Sequence, residues 1–238
     1  MEKNQKQYLL IRNQLASEIE TDRYPVRSKI PSERELVERF GCTRITIREA
    51  LMQLEADNLI YRQERRGWFV TPPKLVYRPE KKQSFLDMTS EQNRSGTTAL
   101  ISAETIVANR KTYQELQIPP GSMVHNIRRL RSLEGRPVLY ESIYLPVDQF
   151  TDLLSQDLAG SLTRLLNTYY NESIHRETIR IASTTFNPSA AEALGVLPSR
   201  TGIRVNRLRM NENNIPVELD WEFWLSDALE FEVATFTA

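Results

Sequence analysis

The sequence predicts an α+β protein in two parts, a winged helix-turn-helix followed by an antiparallel sheet with helices packed against it. Three observations carry this prediction. Residues 6 to 70 show helical periodicity that ends in a hairpin, whereas residues after about 97 alternate as strands with short helices between them. LQIPPGSMVHNIRRLR, from Leu116, aligns without a gap with LGVLPSRTGIRVNRLR, from Leu194, at a separation of 78 residues. At 238 residues the chain is long enough for two domains with their own cores. TPPKLVYRPEKKQ, Thr71 to Gln83, is rich in proline and lysine and has little periodicity. The boundaries expected are therefore 1–71 for the first domain, 72–82 for a linker and 83–238 for the second domain.

The first helix is predicted by Tyr8, Ile11, Leu15 and Ile19, spaced three and four apart on one face. Ser32 and Glu35 form a capping box that opens a second helix carrying Leu36, Val37 and Phe40, and Gly41 stops it. Thr43 caps a third helix that turns Ile47, Ala50, Leu51 and Leu54 inward, with Asn58 as a left-handed terminator. Helix, glycine turn, helix is the helix-turn-helix pattern. LIYRQERRGWFV then folds as a hairpin with Gly67 free to take a positive dihedral at its tip.

With the apolar side of the third helix turned inward, its leading turn leaves Thr43, Arg44, Thr46 and Arg48 outward. Arginine matches guanine edges and phosphates, and threonine serves either. Arg34 on the second helix, Arg62, Arg65 and Arg66 on the hairpin, and Arg23, Arg27 and Lys29 in the preceding turn add cations around the same edge. Residues 1–71 hold 13 Lys plus Arg against 11 Asp plus Glu, so placement rather than net charge carries the reading. The competing reading is a solvated face in which these arginines pair with Glu49, Glu55 and Glu64.

In the second part each repeat reads as short helix, proline turn, strand, turn, strand. RRLRSLEGRPVLYE, Arg128 to Glu141, puts charge where a sheet buries carbon. Side-chain alternation places Arg129 and Arg131 with Ile127 and Leu133, and Glu141 with Leu139, Ile143 and Leu145. A buried charge needs compensation. Two arrangements satisfy this. Internal ion pairs would use Glu141 and, in the second repeat, Glu218, Asp220 and Glu222. Alternatively, a pocket would clamp an anion between the guanidiniums and hold an amine or hydroxyl of the ligand on Glu141 or Glu218. Ser84, opening SFLD, and Ser161, in GSLTRLL, each suit either a helix cap or a ligand contact.

Composition narrows the classes further. No stretch reaches the roughly 18 apolar residues of a membrane span, and MEKNQKQYLL lacks a signal peptide's apolar centre, so a cytoplasmic protein with no membrane partner is expected. The single cysteine, Cys42, excludes an internal disulfide and suits a small turn-filling residue better than a redox sensor. His125 and His175 stand fifty residues apart and give no metal-ligand spacing. No nucleophile has a neighbouring base, so no catalytic residue, metal or cofactor is expected.

PSERELVERFGCTRITIREALMQLEADNLIYRQERRGWFV resembles the N-terminal winged-helix domain of GntR-family transcriptional regulators, whose P-S-E-R-x-L, S/T-R-x-T-[VI]-R-x-A-L and R-x-G-x-F-V segments recur here in order. The resemblance implies that Arg34, Thr43, Arg44, Thr46, Arg48, Arg66 and Gly67 touch a palindromic DNA operator, bound by a homodimer. Asn58 departs from the usual glycine. Trp68 departs from the usual threonine, with the expectation that it alters how the wing meets the minor groove. Residues 83 to 234 are similar to the HutC subfamily, whose effector domain, UTRA, has a fold resembling chorismate lyase and binds small metabolites, often phosphosugars. That likeness implies an effector pocket of Ser84, Phe85, Arg129, Arg131, Glu141, Ser161, Thr163, Glu218 and Trp224. TRITIRE, RRGWFVTP and GSLT look like regulators of phosphonate utilisation associated with 2-aminoethylphosphonate. The function expected is a ligand-responsive regulator, a repressor by the commoner family behaviour. The alternatives are an enzyme on the lyase-like sheet and a DNA-binding module with no effector.

Overall fold

The computed structural model describes residues 2–63, 66–81 and 83–235, and the chain divides into two units at Lys74 and Leu75. Arg65 and Glu64, expected at the hairpin tip, lie outside the described residues. In the first unit α1 (Glu2–Glu20), α2 (Glu33–Phe40) and α3 (Arg44–Ala56) precede an antiparallel hairpin of β1 (Ile60–Gln63) and β2 (Gly67–Val70). Ile11 and Leu15 of α1 bury against Leu36 of α2, against Ile47, Leu51 and Leu54 of α3, and against Ile60 and Val70 of the hairpin. Tyr8 and Ile19 complete the face that α1 turns inward.

The turn between α2 and α3 follows its local chemistry. The Ser32 hydroxyl accepts from the Glu35 amide, and the Glu35 carboxylate accepts the Ser32 amide at 2.7 Å. Gly41 ends α2 at φ 57°, a left-handed conformation in which any Cβ is strained. Asn58 takes φ 58° after α3, as expected. Trp68 is buried in the core beside Val70, so any influence it has on the wing passes through the packing of the hairpin. Strand alternation turns positions 68 and 70 inward together.

The second unit is a six-stranded antiparallel sheet built from β4 (Gly96–Val107), β5 (Met123–Leu133), β6 (Arg136–Pro146), β7 (Arg176–Thr185), β8 (Thr201–Met210) and β9 (Pro216–Leu225). Its order, β4-β5-β6-β9-β8-β7, is the internal repeat made visible. α5 (Arg110–Glu115) joins β4 to β5 as α7 (Pro188–Leu194) joins β7 to β8. The two halves meet back to back along β6 and β9, where Leu139 faces Trp224, Glu141 faces Glu222 and Ile143 faces Asp220. Each half also has an outer strand, β4 or β7, that the reading of the repeat omitted. GTTALISAETIV and RETIRIASTT are largely exposed on both faces, so neither shows a clean alternation.

α4 (Phe85–Glu91) and α6 (Leu162–Tyr170) complete the helices of this unit. The stretch 72–82 differs from the aperiodic linker expected. Leu75–Tyr77 forms β3, paired in parallel with β10 (Leu229–Phe231), and the second unit begins there. Leu75 and Tyr77 are buried, but three residues make too short an alternation to stand out beside the prolines.

Gly202 of β8 is packed without room for a side chain: an added Cβ would come 2.7 Å from the Trp224 carbonyl oxygen and nearer still to the Phe186 ring. Gly202→Ala should cost about 1–3 kcal/mol through overpacking, read as a lower denaturant midpoint. An unchanged midpoint would show that β9 and Phe186 yield freely.

Candidate functional site

On α3, burying Ile47, Ala50, Leu51 and Leu54 leaves a stripe of Arg44, Ile45, Arg48 and Met52 facing water. The Arg44 and Arg48 side chains are 71% and 58% exposed. Both reach back to Glu33 at the start of α2, with Nε–O distances of 2.8 and 3.2 Å. Burial opposes ionisation of Glu33, but the two guanidiniums overcome it and hold its carboxyl below the usual range. Arg34 stands almost fully in solvent, 3.8 Å from Glu38. Thr43 is exposed and caps α3.

Thr46 does not belong to that stripe. It is 2% exposed, and its hydroxyl lies 2.9 Å from that of Thr43. The expectation of an outward Thr46 is therefore corrected, because the first turn of a helix brings residues three apart together. On the hairpin, Arg66 is exposed with its guanidinium 5.5 Å from the Phe69 ring centroid. Gly67 takes φ 105°, and Lys29 packs where a Cβ would project. The stripe's apolar members, Ile45 and Met52, were missed by a search for polar DNA-reading residues.

A second constellation lies on one face of the sheet. Arg129 and Arg131 of β5, Glu141 of β6, Asp220, Glu222 and Trp224 of β9, and Arg207 and Arg209 of β8 line a cavity. The starts of α4 and α6 border it with Ser84, Phe85, Ser161 and Thr163. Arg129, 3% exposed, donates through Nε to Glu141 and through Nη1 to the carbonyls of Leu158 and Gly160 at 3.1 and 3.0 Å. Arg131 donates to the same Glu141 oxygen at 3.0 Å and to Thr98 Oγ1 at 3.1 Å, with its guanidinium 5.1 Å from the Phe85 ring centroid. Burial pushes Glu141 up, but the two guanidiniums outweigh it and hold the carboxyl below its ordinary value.

The other half repeats the scheme. Arg207 donates to Glu222 and to Glu177, both at 3.1 Å. Arg209 donates to Glu177 at 2.9 Å and to Glu218. Trp224 Nε1 donates to the second oxygen of Glu222 at 2.7 Å. Asp220 lies 3.6 Å from Arg209. Burial, reinforced by Glu218, pushes Asp220 well above the ordinary carboxyl value of 3.8, against the pull of Arg209. Four guanidiniums thus meet five carboxyl groups, Glu141, Glu177, Glu218, Asp220 and Glu222.

Of the residues expected here, Ser84, Phe85, Arg129, Arg131, Glu141, Ser161, Thr163 and Trp224 all line the cavity. Ser84 also caps α4, its hydroxyl 2.6 Å from the Asp87 carboxylate, and Ser161 caps α6 by accepting from the Arg164 amide at 3.3 Å. Trp224 belongs both to the lining and to the hydrophobic core. Glu218 lies outside the lining, a correction whose reason is the register. Asp220 faces Arg207 as Glu141 faces Arg129, so Asp220 is the counterpart of Glu141. Arg207, Arg209, Asp220 and Glu222 were missed, although the 78-residue repeat that equates Arg129 with Arg207 carried the signal. The cavity itself measures about 40 Å³. Beside it lies a chamber of about 250 Å³ that shares Gln83, Thr163, Arg207 and Arg209 and adds Asn167, Glu172 and Glu177.

Residues 91–230 match the UTRA domain, and residues 7–70 match the bacterial regulatory proteins of the gntR family. The uncharacterized HTH-type transcriptional regulator YihL of Escherichia coli is 28% identical over 203 residues, covering 85% of this chain and 86% of that protein. The HTH-type transcriptional repressor NagR of Bacillus subtilis is 26% identical over 211 residues, covering 89% and 87%. The crystal structure of PhnF from Mycobacterium smegmatis shares the fold, with a TM-score of 0.68 at 21% identity over 95% of this chain and 99% of that one. YihL and NagR are named as a transcriptional regulator and a transcriptional repressor, which sets aside an enzyme on the same sheet.

The raised pKa of Asp220 has a measurable consequence. Its folded pKa lies above its unfolded value, so folding takes up a proton at pH values between the two, and this contribution to stability falls as pH rises from about 4 toward the folded pKa. Asp220→Asn should therefore melt increasingly above the native protein as pH climbs from 5 to 8. A gap in melting temperature that stays constant over that range would mean Asp220 is ionised in the fold.

Proposed function

Because this chain belongs to the UTRA-domain family of transcriptional regulators, with a gntR-type DNA reader ahead of the UTRA domain, we propose that it represses transcription from a palindromic operator and that a small anionic metabolite in the sheet-face pocket adjusts its grip on DNA. The observation that carries this reading is the pair of clustered arginine sets, one exposed on α3 and one buried beneath the caps of α4 and α6. Repression follows the name borne by the NagR relative.

On DNA, Arg44 and Arg48 would exchange Glu33 for guanine edges or phosphates, and Arg34 and Thr43 would hold the adjoining backbone. Ile45 adds an apolar contact of the kind that reads a thymine methyl group. Thr46 would act through Thr43 by fixing the cap. Arg66 and Gly67 would carry the hairpin to the neighbouring phosphates. Two such readers in a homodimer would bind two symmetric half-sites.

In the pocket, charge balance narrows the effector. An incoming anion must either displace Glu141 from Arg129 and Arg131 or bring its own cation. The carboxylates of Glu177 and Glu222 offer that cation a partner beside Arg207. A phosphonate or phosphate carrying an amine satisfies both ends, and 2-aminoethylphosphonate and an aminosugar phosphate are the two candidates. Ligand and DNA affinities must then be coupled reciprocally.

The test is an anisotropy titration against duplex DNA selected by the protein from a random pool. Arg44→Ala and Arg48→Ala should each weaken binding by about 1–3 kcal/mol, roughly tenfold to hundredfold, with the second unit still folded. Unchanged affinity in both would remove the assignment of α3. Adding 2-aminoethylphosphonate or glucosamine 6-phosphate should shift the native titration. Arg129→Lys, which keeps the charge opposite Glu141 but not the geometry of the guanidinium, should bind DNA normally and lose that shift. A normal response in Arg129→Lys would return these arginines to a purely internal role.

A further inference from the structure

The strands that carry the charged pocket have an opposite face. Alternation puts Tyr140, Ser142 and Tyr144 of β6, with Trp221 and Phe223 of β9, behind Glu141 and Glu222. Tyr140 faces Phe223 and Ser142 faces Trp221 along the seam between the two halves. Over this seam, bordered by the starts of α5 and α7, lies a cavity of about 440 Å³. That is ample for a small ligand, since ligand pockets run from roughly 300 to 1,000 Å³. It shares no residue with the charged pocket.

Its chemistry is also different. Four aromatic rings line it, together with Lys111 and Arg128 and no carboxylate. Lys111 Nζ stands 3.6 Å from the Trp221 ring centroid, and the Arg204 guanidinium stands 5.7 Å from the same centroid. Arg128 has one partner at the rim, Glu104 at 3.3 Å, and both side chains are partly exposed. Arg204 and Asn206 lie on this face, opposite Phe223 and Trp221. Their buried Nε and Nδ2 atoms have no hydrogen-bond acceptor among the described residues. Aromatic boxes commonly hold cations, but here protein cations already occupy the indole, so a cationic ligand would be repelled.

We propose that this cavity is a second small-molecule site, which takes a planar aromatic anion. The ring stacks among Tyr140, Trp221 and Phe223, and the carboxylate meets Lys111 and Arg128. The site stands independently of the effector assigned to the charged pocket. The two sites are nonetheless built from alternate residues of the same two strands.

The experiment is isothermal titration of the full chain with benzoate and indole-3-acetate, with cyclohexanecarboxylate and benzylamine as comparators. The two aromatic carboxylates should bind, cyclohexanecarboxylate more weakly, and benzylamine not at all. Lys111→Glu should weaken benzoate and indole-3-acetate by about tenfold or more, as expected for loss of a charge-assisted contact. Ser189→Phe, at an exposed position on the cavity's edge, should block it while leaving the fold intact, and it carries the test should Lys111→Glu not fold. Three results would overturn the proposal: no heat from either aromatic carboxylate up to about 10 mM, benzylamine binding as well as benzoate, or undiminished binding in Ser189→Phe.

Discussion

A guanidinium removed from water must be met by opposite charge, and this requirement organises the whole second unit. Each half of the repeat sends an Arg-x-Arg pair to the same face of the sheet. Each therefore places a carboxylate directly across the strand pair, Glu141 in one half and Asp220 in the other. Joining the halves then sets Glu141 opposite Glu222, two like charges side by side on neighbouring strands. That juxtaposition stands because Arg129 and Arg131 hold one carboxylate while Arg207 and Trp224 hold the other. Burial and Glu218 raise the pKa of Asp220, which eases the crowding of carboxyl groups on this face. The result is a polar floor with little empty volume, in which a ligand's charge would act by exchanging partners rather than by filling a void.

The first unit meets a milder form of the same constraint. Glu33, held ionised at the start of α2, draws Arg44 and Arg48 together across the turn. Because both arginines remain largely in solvent, these pairs add little to stability. Their effect is to hold two long side chains near one place, where on the proposed function a phosphate or guanine would replace Glu33. The Thr43–Thr46 contact fixes the helix start from which they project. In both units arginine is thus held by an internal carboxylate, which on the proposed function an incoming anion would displace.

The elements whose signals are local were legible in the sequence. The Ser32–Glu35 box, Gly41, the Thr43 cap and the inward stripe of α3 depend on spacing within one or two turns, and each folds as expected. Elements that depend on partners far away in sequence were not. β3 is three residues long and exists because β10 pairs with it. The outward Thr46 failed because a residue three positions past a cap can serve the cap instead of the solvent. In the charged pocket Arg129, Arg131 and Glu141 were legible from strand alternation alone. Glu218, Asp220 and Glu222 are told apart by the register of β8 against β9, and the repeat agrees with it, since carrying Pro137-Val138 onto Pro216-Val217 carries Glu141 onto Asp220.

On the proposed function the buried Arg129–Glu141–Arg131 arrangement serves ligand exchange and contributes little net stability. Replacing a buried ion network by apolar groups of similar size tests this directly, because such swaps are often neutral or stabilising when the network is not a structural staple. The measurement is the melting temperature of the triple variant Arg129→Met, Arg131→Met, Glu141→Leu against that of the native chain. The account predicts a melting temperature equal to or above the native one. A fall of about 10 °C or more, the equivalent of several kcal/mol in a chain of this size, would show that the arginines are there to hold the sheet together.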